Sequence, residues 1–267
     1  MVNYNYHPIF VDASPEDERK FKYYTQKMMA ACEDGVIVDS EAYTKAFRAR
    51  LRCISMAENK ILNLEKIIKS IDVSDHFIIY CSDGRIDTDE GASIRHLNKV
   101  VRELIKLGYD PSQFTATEDM DTRIRLINAF NKGDIHTLVA IRCLDEGINI
   151  PSIKKALILS SNNNYREFVQ RRGRILRKYK DKKVADIYDV IVLPSLDCID
   201  IAKIEFRRFN EYNKVALNMD ENNCLLEDYL ADYCLSFSDI QFDNDYLLGG
   251  DLDDWWRKKE WNNKGIS

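Results

Sequence analysis

The stretch HTLVAIRCLDEGINIPSIKKALILSSNNNYREFVQRRGRILR, residues 136–177, decides the fold. It holds two short apolar runs, HTLVAIRC (136–143) and KALILS (155–160), with the length and composition of buried strands. An arginine-rich segment, NYREFVQRRGRILR (164–177), follows and predicts a helix. The order strand, loop, strand and helix indicates part of a parallel sheet with helical connections.

The same alternation continues on both sides of this stretch. Upstream, HFIIYC (76–81) predicts a strand, EGASIRHLNKVVRELIKLG (90–108) a helix, and QFTAT (113–117) another strand, followed by a helix at 119–133. Downstream, ADIYDVIVLP (185–194) predicts the last strand. The expected fold class is therefore α/β, a parallel sheet with helices on both faces.

Helical segments are expected before and after the sheet. The first helix starts with Ser14 as its N-cap and Pro15 at the first helical position. After the sheet, residues 199–218 predict another helix, in which Phe206, Phe209 and Val215 are more often core residues than base-stacking residues. The predicted division is a helical lead-in (1–56), an α/β domain (57–195) and a helical extension with an acidic, aromatic tail (196–267).

Composition excludes several classes of protein. The chain has a net charge of −5 and is 45% hydrophobic. It lacks an apolar run long enough for a membrane span and the residue order of a signal peptide, so we expect a soluble, cytoplasmic protein with no membrane partner. The dispersed cysteines and isolated histidines predict no metal site. The acidic balance argues against nucleic-acid binding by bulk charge, but salt screening leaves room for a local basic groove.

The arginine helix has two faces with different expected roles. Asn164 is its predicted N-cap, with Glu167 at the third helical position. At 100° per residue, Val169, Gly173 and Leu176 share one face, which we expect to pack on the sheet, with Gly173 permitting close approach.

The second face carries the chemistry. Gln170, Arg174 and Arg177 follow each other at i, i+4 and i+7. One amide and two planar guanidiniums in a row suit a polyphosphate, since each guanidinium presents a fork of donors. A solvated basic face is an equal alternative from the residues alone.

The loop AIRCLDEGINIP (140–151) leaves a strand, turns at Gly147 and ends at Pro151. Ligands of open parallel sheets gather at the carboxyl ends of strands, and Asn149 has an amide suited to a sugar hydroxyl. Taken alone, the loop fits an ordinary turn better.

LDEGINIP followed by QRRGRILR resembles motifs V and VI of the second RecA-like domain of superfamily 2 helicases of the DEAD/DEAH type. FIIYC (77–81) looks like motif IV, and the segment from Thr115 to Ala140 is similar to the region leading into motif V. The resemblance covers residues 57–194 and extends more loosely to the lead-in. Its branch is that of DNA-repair and restriction-associated helicases.

The resemblance implies an ATP site. Arg174 and Arg177 would contact the γ-phosphate of ATP, with Arg177 as the arginine finger, a role worth roughly 10³ to 10⁵ in rate. Gly147 and Asn149 would lie near the ribose. The residues that the resemblance places at the nucleotide are Gln170, Glu146, Gly147 and Asn149.

It also implies a nucleic-acid track, for which the candidate residues are Thr115, Thr117, Arg123 and Arg85. For SDGR (82–85) a plain turn is the alternative, and for the basic stretch 177–183 a solvated loop. Ile141 stands where many relatives have a phosphate-contacting threonine.

Two motifs of a complete ATPase are missing from the sequence. No glycine is followed by lysine, so there is no phosphate-cradling P-loop, and no DExx motif stands at the end of a predicted strand ahead of FIIYC. We therefore expect ATP and Mg²⁺ to be cofactors of an intact protein, held mainly by a separate P-loop domain, and expect none to bind tightly to this chain.

The predicted function is that of the second motor domain of a superfamily 2 DNA helicase or translocase, inactive alone. Its expected partners are that P-loop domain and nucleic acid, with DNA preferred over RNA. The alternative is a non-catalytic module that binds nucleic acid or protein and retains the helicase fold.

Overall fold

The computed structural model describes residues 1–34, 36–71, 76–87, 93–115, 117–141, 150–161, 165–180 and 182–241. Several predictions fall outside these residues. They concern the cap formed by Asn164 and Glu167, the nucleotide contacts of Glu146, Gly147 and Asn149, and the acidic tail beyond residue 241.

The described chain is built from strands and helices. The strands are β1 (Asn3–Asp12), β2 (Cys32–Glu33), β3 (Val36–Ile37), β4 (Phe77–Tyr80), β5 (Arg85–Asp87), β6 (Ser93–Arg95), β7 (Pro111–Phe114), β8 (Thr137–Ala140), β9 (Lys155–Ile158) and β10 (Val184–Leu193). The helices are α1 (Pro15–Met29), α2 (Ser40–Ser55), α3 (Glu58–Leu62), α4 (Leu64–Ser70), α5 (His96–Lys106), α6 (Met120–Lys132), α7 (Tyr165–Ile175), α8 (Ile199–Asn213) and α9 (Met219–Asp232).

Six strands of the described chain form one parallel sheet in the order β1-β10-β9-β4-β8-β7. The central strand β4, FIIY, is buried on both faces, as expected for a strand covered by helices on each side. Two short antiparallel pairs, β2–β3 and β5–β6, lie outside this sheet. The predicted α/β class is confirmed.

Helices cover both faces of the sheet, and each face has its own core. On one face α1 to α5 contribute side chains such as Phe21, Leu64 and Val100. On the other face α6 to α9 contribute side chains such as Phe130 and Phe206. No helix within the described ranges has the length and apolarity needed to cross a bilayer.

The lead-in differs from the sequence prediction at its start. The predicted helical lead-in (1–56) has its first helix starting at Ser14 and no element before it, but Asn3–Asp12 is a strand that pairs with β10 along its whole length. Tyr4 and Tyr6 are fully buried in the core under the C-terminal helices. The helix that follows is confirmed: Ser14 caps α1 and forms a capping box with Asp17.

The C-terminal helices belong to the same core as the sheet. Phe206 and Phe209 on α8 are fully buried, as predicted. The prediction for Val215 was wrong, because α8 ends at Asn213 and the Val215 side chain is 62% exposed.

A buried charge cluster fastens α8 to β10. The Arg208 guanidinium donates through Nε to Asp189 Oδ2 at 3.0 Å and through Nη2 to Glu205 Oε2 at 2.9 Å. The hydroxyl of Tyr6 donates to the same Asp189 oxygen at 3.0 Å, and the backbone N–H of Val192 donates to Glu205 at 2.7 Å. Burial opposes the charge of Arg208, but the two carboxylates outweigh it and raise the pKa of Arg208.

Candidate functional site

Helix α7 packs on the sheet through a different face from the one predicted. Phe168 and Ile175 are fully buried, and Leu176 just beyond the helix is buried as expected. Val169 is 38% exposed, and a Cβ added at Gly173 would meet no atom within 4 Å, so neither residue lies against the sheet. The predicted packing face was therefore wrong for Val169 and Gly173.

The reason is that an arginine occupies a core position. Arg171, three residues from Phe168, is only 4% exposed. Its Nη1 lies 3.3 Å from the Ser160 carbonyl oxygen and 3.2 Å from Ser161 Oγ, just after β9. Its guanidinium carbon lies 5.3 Å from the ring centre of Tyr80, at the end of β4. Arg171 therefore fixes the helix to the ends of two strands.

Arg172 is also used for structure. Its Nη1 donates to the backbone carbonyl of Glu211 on α8 at 2.9 Å and lies 3.6 Å from Glu211 Oε1. Burial raises the pKa of the neighbouring Tyr4 hydroxyl, and the Arg172 charge partly offsets this. Both anchoring roles were missed, because the helical periodicity assigned Arg171 and Arg172 neither to the predicted packing face nor to the face of Gln170, Arg174 and Arg177.

Three of the residues predicted to meet the nucleotide, Gln170, Arg174 and Arg177, lie on this helix or directly after it. Gln170 is exposed, and Arg174 and Arg177 are partly exposed. Gln170 and Arg174 share a side of α7 at i, i+4. The helix ends at Ile175, so Arg177 lies in the turn that follows, where its N–H faces the Arg174 carbonyl oxygen at 3.4 Å.

The end of α7 lies at the amino edge of the sheet. The Leu176 carbonyl accepts from the N–H of Val2, directly before β1, at 2.7 Å. The ammonium of Lys182 donates to the Ile175 carbonyl at the helix terminus, a favourable site for a cation. Burial lowers the pKa of Lys182 to about 8. This lysine of the basic stretch 177–183 therefore binds the C-terminal end of α7.

The predicted nucleic-acid residues lie on segments that follow the strands β4 and β7. Arg85 is exposed on β5, in the hairpin after β4, and Thr117 is exposed in the loop after β7. Because β4, β8 and β7 are parallel neighbours, their carboxyl ends share one edge of the sheet. Arg123 lies on α6 and is partly buried.

Thr115 points into the loop after β7. It is 4% exposed, and its Oγ1 lies 2.8 Å from Glu118 Oε2 and 2.6 Å from Thr117 Oγ1. Its own N–H donates to the same Glu118 oxygen at 2.6 Å. This arrangement favours a role for Thr115 in shaping the loop, with Thr117 as the exposed residue of the pair. Ile141, directly after β8, is also buried.

The sequence and the fold match known helicase domains. Residues 59–179 match the family model described as helicase conserved C-terminal domain. The chain is 38% identical over 69 residues to the DNA 3'-5' translocase XPB2 of Sulfurisphaera tokodaii, a match that covers 26% of this chain and 16% of that protein. It is 24% identical over 178 residues to the putative helicase 22 of a Sulfolobus islandicus filamentous virus, covering 66% of this chain and 30% of the relative.

The chain thus spans less than a third of the length of these curated relatives. Among solved structures, the C-terminal part of the Fun30 ATPase domain has the same fold, with a TM-score of 0.54 at 12% identity over 77% of this chain and 89% of that one. The expected resemblance is confirmed at the level of the domain: residues 59–179 match the helicase conserved C-terminal domain, and the α/β fold is that of the C-terminal part of a solved ATPase domain.

Proposed function

We propose that this chain is the second motor domain of an ATP-dependent DNA helicase or translocase, which completes the site for ATP bound by a separate P-loop domain. One observation carries the proposal. Arg171 and Arg172 fix helix α7 to the body of the domain, and Gln170 and Arg174 on this helix and Arg177 in the turn after it are at least partly exposed.

These three side chains fit a nucleoside triphosphate. Two guanidiniums and one amide offer hydrogen bonds to phosphate oxygens, those of the guanidiniums being charge-assisted. Because the helix is fixed, these donors need little rearrangement when negative charge develops on the transferring phosphoryl group. ATP would supply the phosphoryl group, and Arg177 would stabilise the transferring charge, with Arg174 beside it. Among the described residues, no group of acidic, His or Cys side chains is arranged to hold a metal ion. In the proposed complex the P-loop domain would hold Mg²⁺.

Two further regions have proposed roles: the loop after β8 in binding ATP, and the segments after β4 and β7 in binding nucleic acid. Glu146, Gly147 and Asn149 would contact the ATP ribose and its surroundings. Arg85, Thr117 and Arg123 would contact the phosphates of one nucleic-acid strand, while Thr115 would keep the loop in shape. DNA is the proposed substrate because the XPB2 relative is named a DNA translocase.

ATP hydrolysis by this chain mixed with its cognate P-loop domain tests the proposal, with and without single- and double-stranded DNA. Arg177→Ala should lower the stimulated rate roughly 10³-fold or more, because the finger acts only in the transition state. Lys154→Ala, which removes an exposed cation outside the basic stretch 177–183, is the control and should retain the wild-type rate.

The alternative of a binding module predicts a different result. Hydrolysis by the mixture would then be the same for wild type and Arg177→Ala, and the variant would instead bind DNA or a protein partner more weakly. Turnover by the isolated chain that survives repurification and is lost in Arg177→Ala would contradict the assignment of the catalytic phosphate site to another domain.

A further inference from the structure

The turn that carries Arg177 is closed by Lys182. The N–H of Lys182 donates to the Tyr179 carbonyl at 2.9 Å, and Lys180 within this turn has a positive φ of 40°. The turn brings the Lys182 ammonium back to the Ile175 carbonyl, and the same ammonium lies 3.4 Å from the Pro151 carbonyl oxygen. The turn is thereby joined to the chain directly after the loop 142–149.

The same turn is joined to the end of α6. The Tyr179 hydroxyl donates to the backbone carbonyl of Asn131 at 2.9 Å. The side-chain oxygen of Asn131 accepts from Ser152 Oγ at 2.6 Å, and Ser152 is fully buried. Asn131 is therefore a junction between α6, the segment after the β8 loop, and the Arg177 turn.

Helix α6 connects this junction to the proposed nucleic-acid edge. Its N-cap, Asp119, follows the loop of Thr117 and accepts from the N–H of Thr122 at 2.8 Å. Its 13 residues make a rod roughly 20 Å long, and Phe130 in its last turn is fully buried. A rigid helix of this kind transmits a displacement at one end to the other end.

We propose that Tyr179 is a positioning residue that couples helix α6 to Arg177, so that a nucleic-acid strand bound at the start of α6 alters the position and mobility of the arginine turn. This coupling rests on the proposed function, which assigns nucleic-acid binding to the start of α6 and the ATP contact to Arg177. The new element is the connection between these two sites through the Tyr179 hydroxyl and Asn131. Lys182 supports this path by holding the opposite side of the turn.

The test uses amide hydrogen exchange of the full chain, alone and with an oligothymidylate whose binding is followed by fluorescence anisotropy. Tyr179→Phe removes only the hydroxyl. Without DNA, amides of residues 176–180 should exchange roughly 2- to 12-fold faster in this variant, the effect of one lost hydrogen bond. DNA should slow exchange there in wild type but not in Tyr179→Phe, with equal DNA affinity. Tyr23→Phe, at an exposed tyrosine on α1, should behave as wild type.

Four results would overturn the coupling. The first is DNA binding without any change at 176–180 in wild type, and the second is a change that persists in Tyr179→Phe. The third is faster exchange across the whole chain in Tyr179→Phe, which would mean that the hydroxyl serves stability alone. If wild type binds no DNA, the coupling is overturned together with the nucleic-acid track, whereas the ATPase effect of Arg177→Ala would stand or fall separately.

Discussion

At the scale of single residues, the arginines of α7 divide into two groups with opposite expected effects. Arg171→Ala would leave the Ser160 carbonyl without its buried donor and remove the guanidinium that lies over the Tyr80 ring. We expect a loss of about 2–4 kcal/mol in the free energy of unfolding. Arg174→Ala should cost less than about 1 kcal/mol, as at a partly exposed position, yet abolish ATPase activity of the mixed domains. Urea unfolding of both variants checks this, and equal losses would contradict the division.

Lys60 is a second residue for which burial leads to a testable prediction, because burial changes its pKa. It is fully buried on α3, and its ammonium has no hydrogen-bond partner among the described residues. Burial lowers the pKa of Lys60 to about 8, while the charges of Glu205 and Asp189 oppose the shift and that of Arg208 adds to it. Burial, with the Lys60 charge, also lowers the pKa of His96 to about 3.

This predicts a rise in stability at alkaline pH. Between pH 8 and pH 10.5 the unfolded chain binds a proton at Lys60 that the folded chain has released, so the free energy of unfolding increases with pH. Relative to Lys60→Met, wild type should gain up to about 3 kcal/mol across this range and nothing below pH 8. Urea unfolding of both proteins from pH 7 to pH 10.5 measures the difference, and parallel profiles would contradict the assignment.

At the scale of elements, strand β1 shows how the sheet edge is closed. Leu217 N–H donates to the Tyr4 carbonyl at 2.8 Å. The Asn218 amide accepts from the Tyr6 N–H and donates to the Tyr6 carbonyl, both at 2.9 Å, in place of a neighbouring strand. Pro8 has no N–H to offer further along the strand, and Asn59 donates to the Asp12 carbonyl at 2.7 Å.

Asn218→Ala should therefore destabilise the protein by about 1–3 kcal/mol, because it leaves the Tyr6 N–H without its acceptor. Glu227→Ala, an exposed position on α9, should change stability by less than about 0.5 kcal/mol. Thermal unfolding of the two variants compares them, and similar midpoints would show that water replaces the Asn218 amide without cost.

These elements also show what the sequence predicts and what it does not. The runs FIIYC and KALILS predicted β4 and β9 because each is buried on both faces. β1 was missed because NYNYHPIFVD has no continuous apolar run and pairs with a strand about 180 residues away. Helical periodicity placed Gln170 and Arg174 on one side of α7. The packing face was assigned wrongly, because the buried residue at its centre is Arg171, and hydrophobicity does not predict a buried arginine.

At the scale of the whole molecule, the chain folds as a unit larger than the segment that carries the motifs. The family match covers residues 59–179, yet β1 forms one edge of the main sheet and α8 and α9 cover part of one face. The buried Asp189 on β10 depends on two groups outside the motif segment, the Arg208 guanidinium of α8 and the Tyr6 hydroxyl of β1. Burying a carboxylate without such partners is strongly unfavourable.

A fragment of residues 57–195, the α/β domain as the sequence delimits it, should therefore not fold by itself. It would expose the apolar side of the sheet that α8 covers, lack the strand that pairs with β10, and leave Asp189 without its donors. Residues 1–241 should show cooperative thermal unfolding by circular dichroism, whereas the 57–195 fragment should show none or aggregate. The added substitution Asp189→Leu should not rescue the fragment, since the missing strand and helices remain missing. If the 57–195 fragment unfolded cooperatively with a midpoint close to that of residues 1–241, β1 and α8 would not be required for folding.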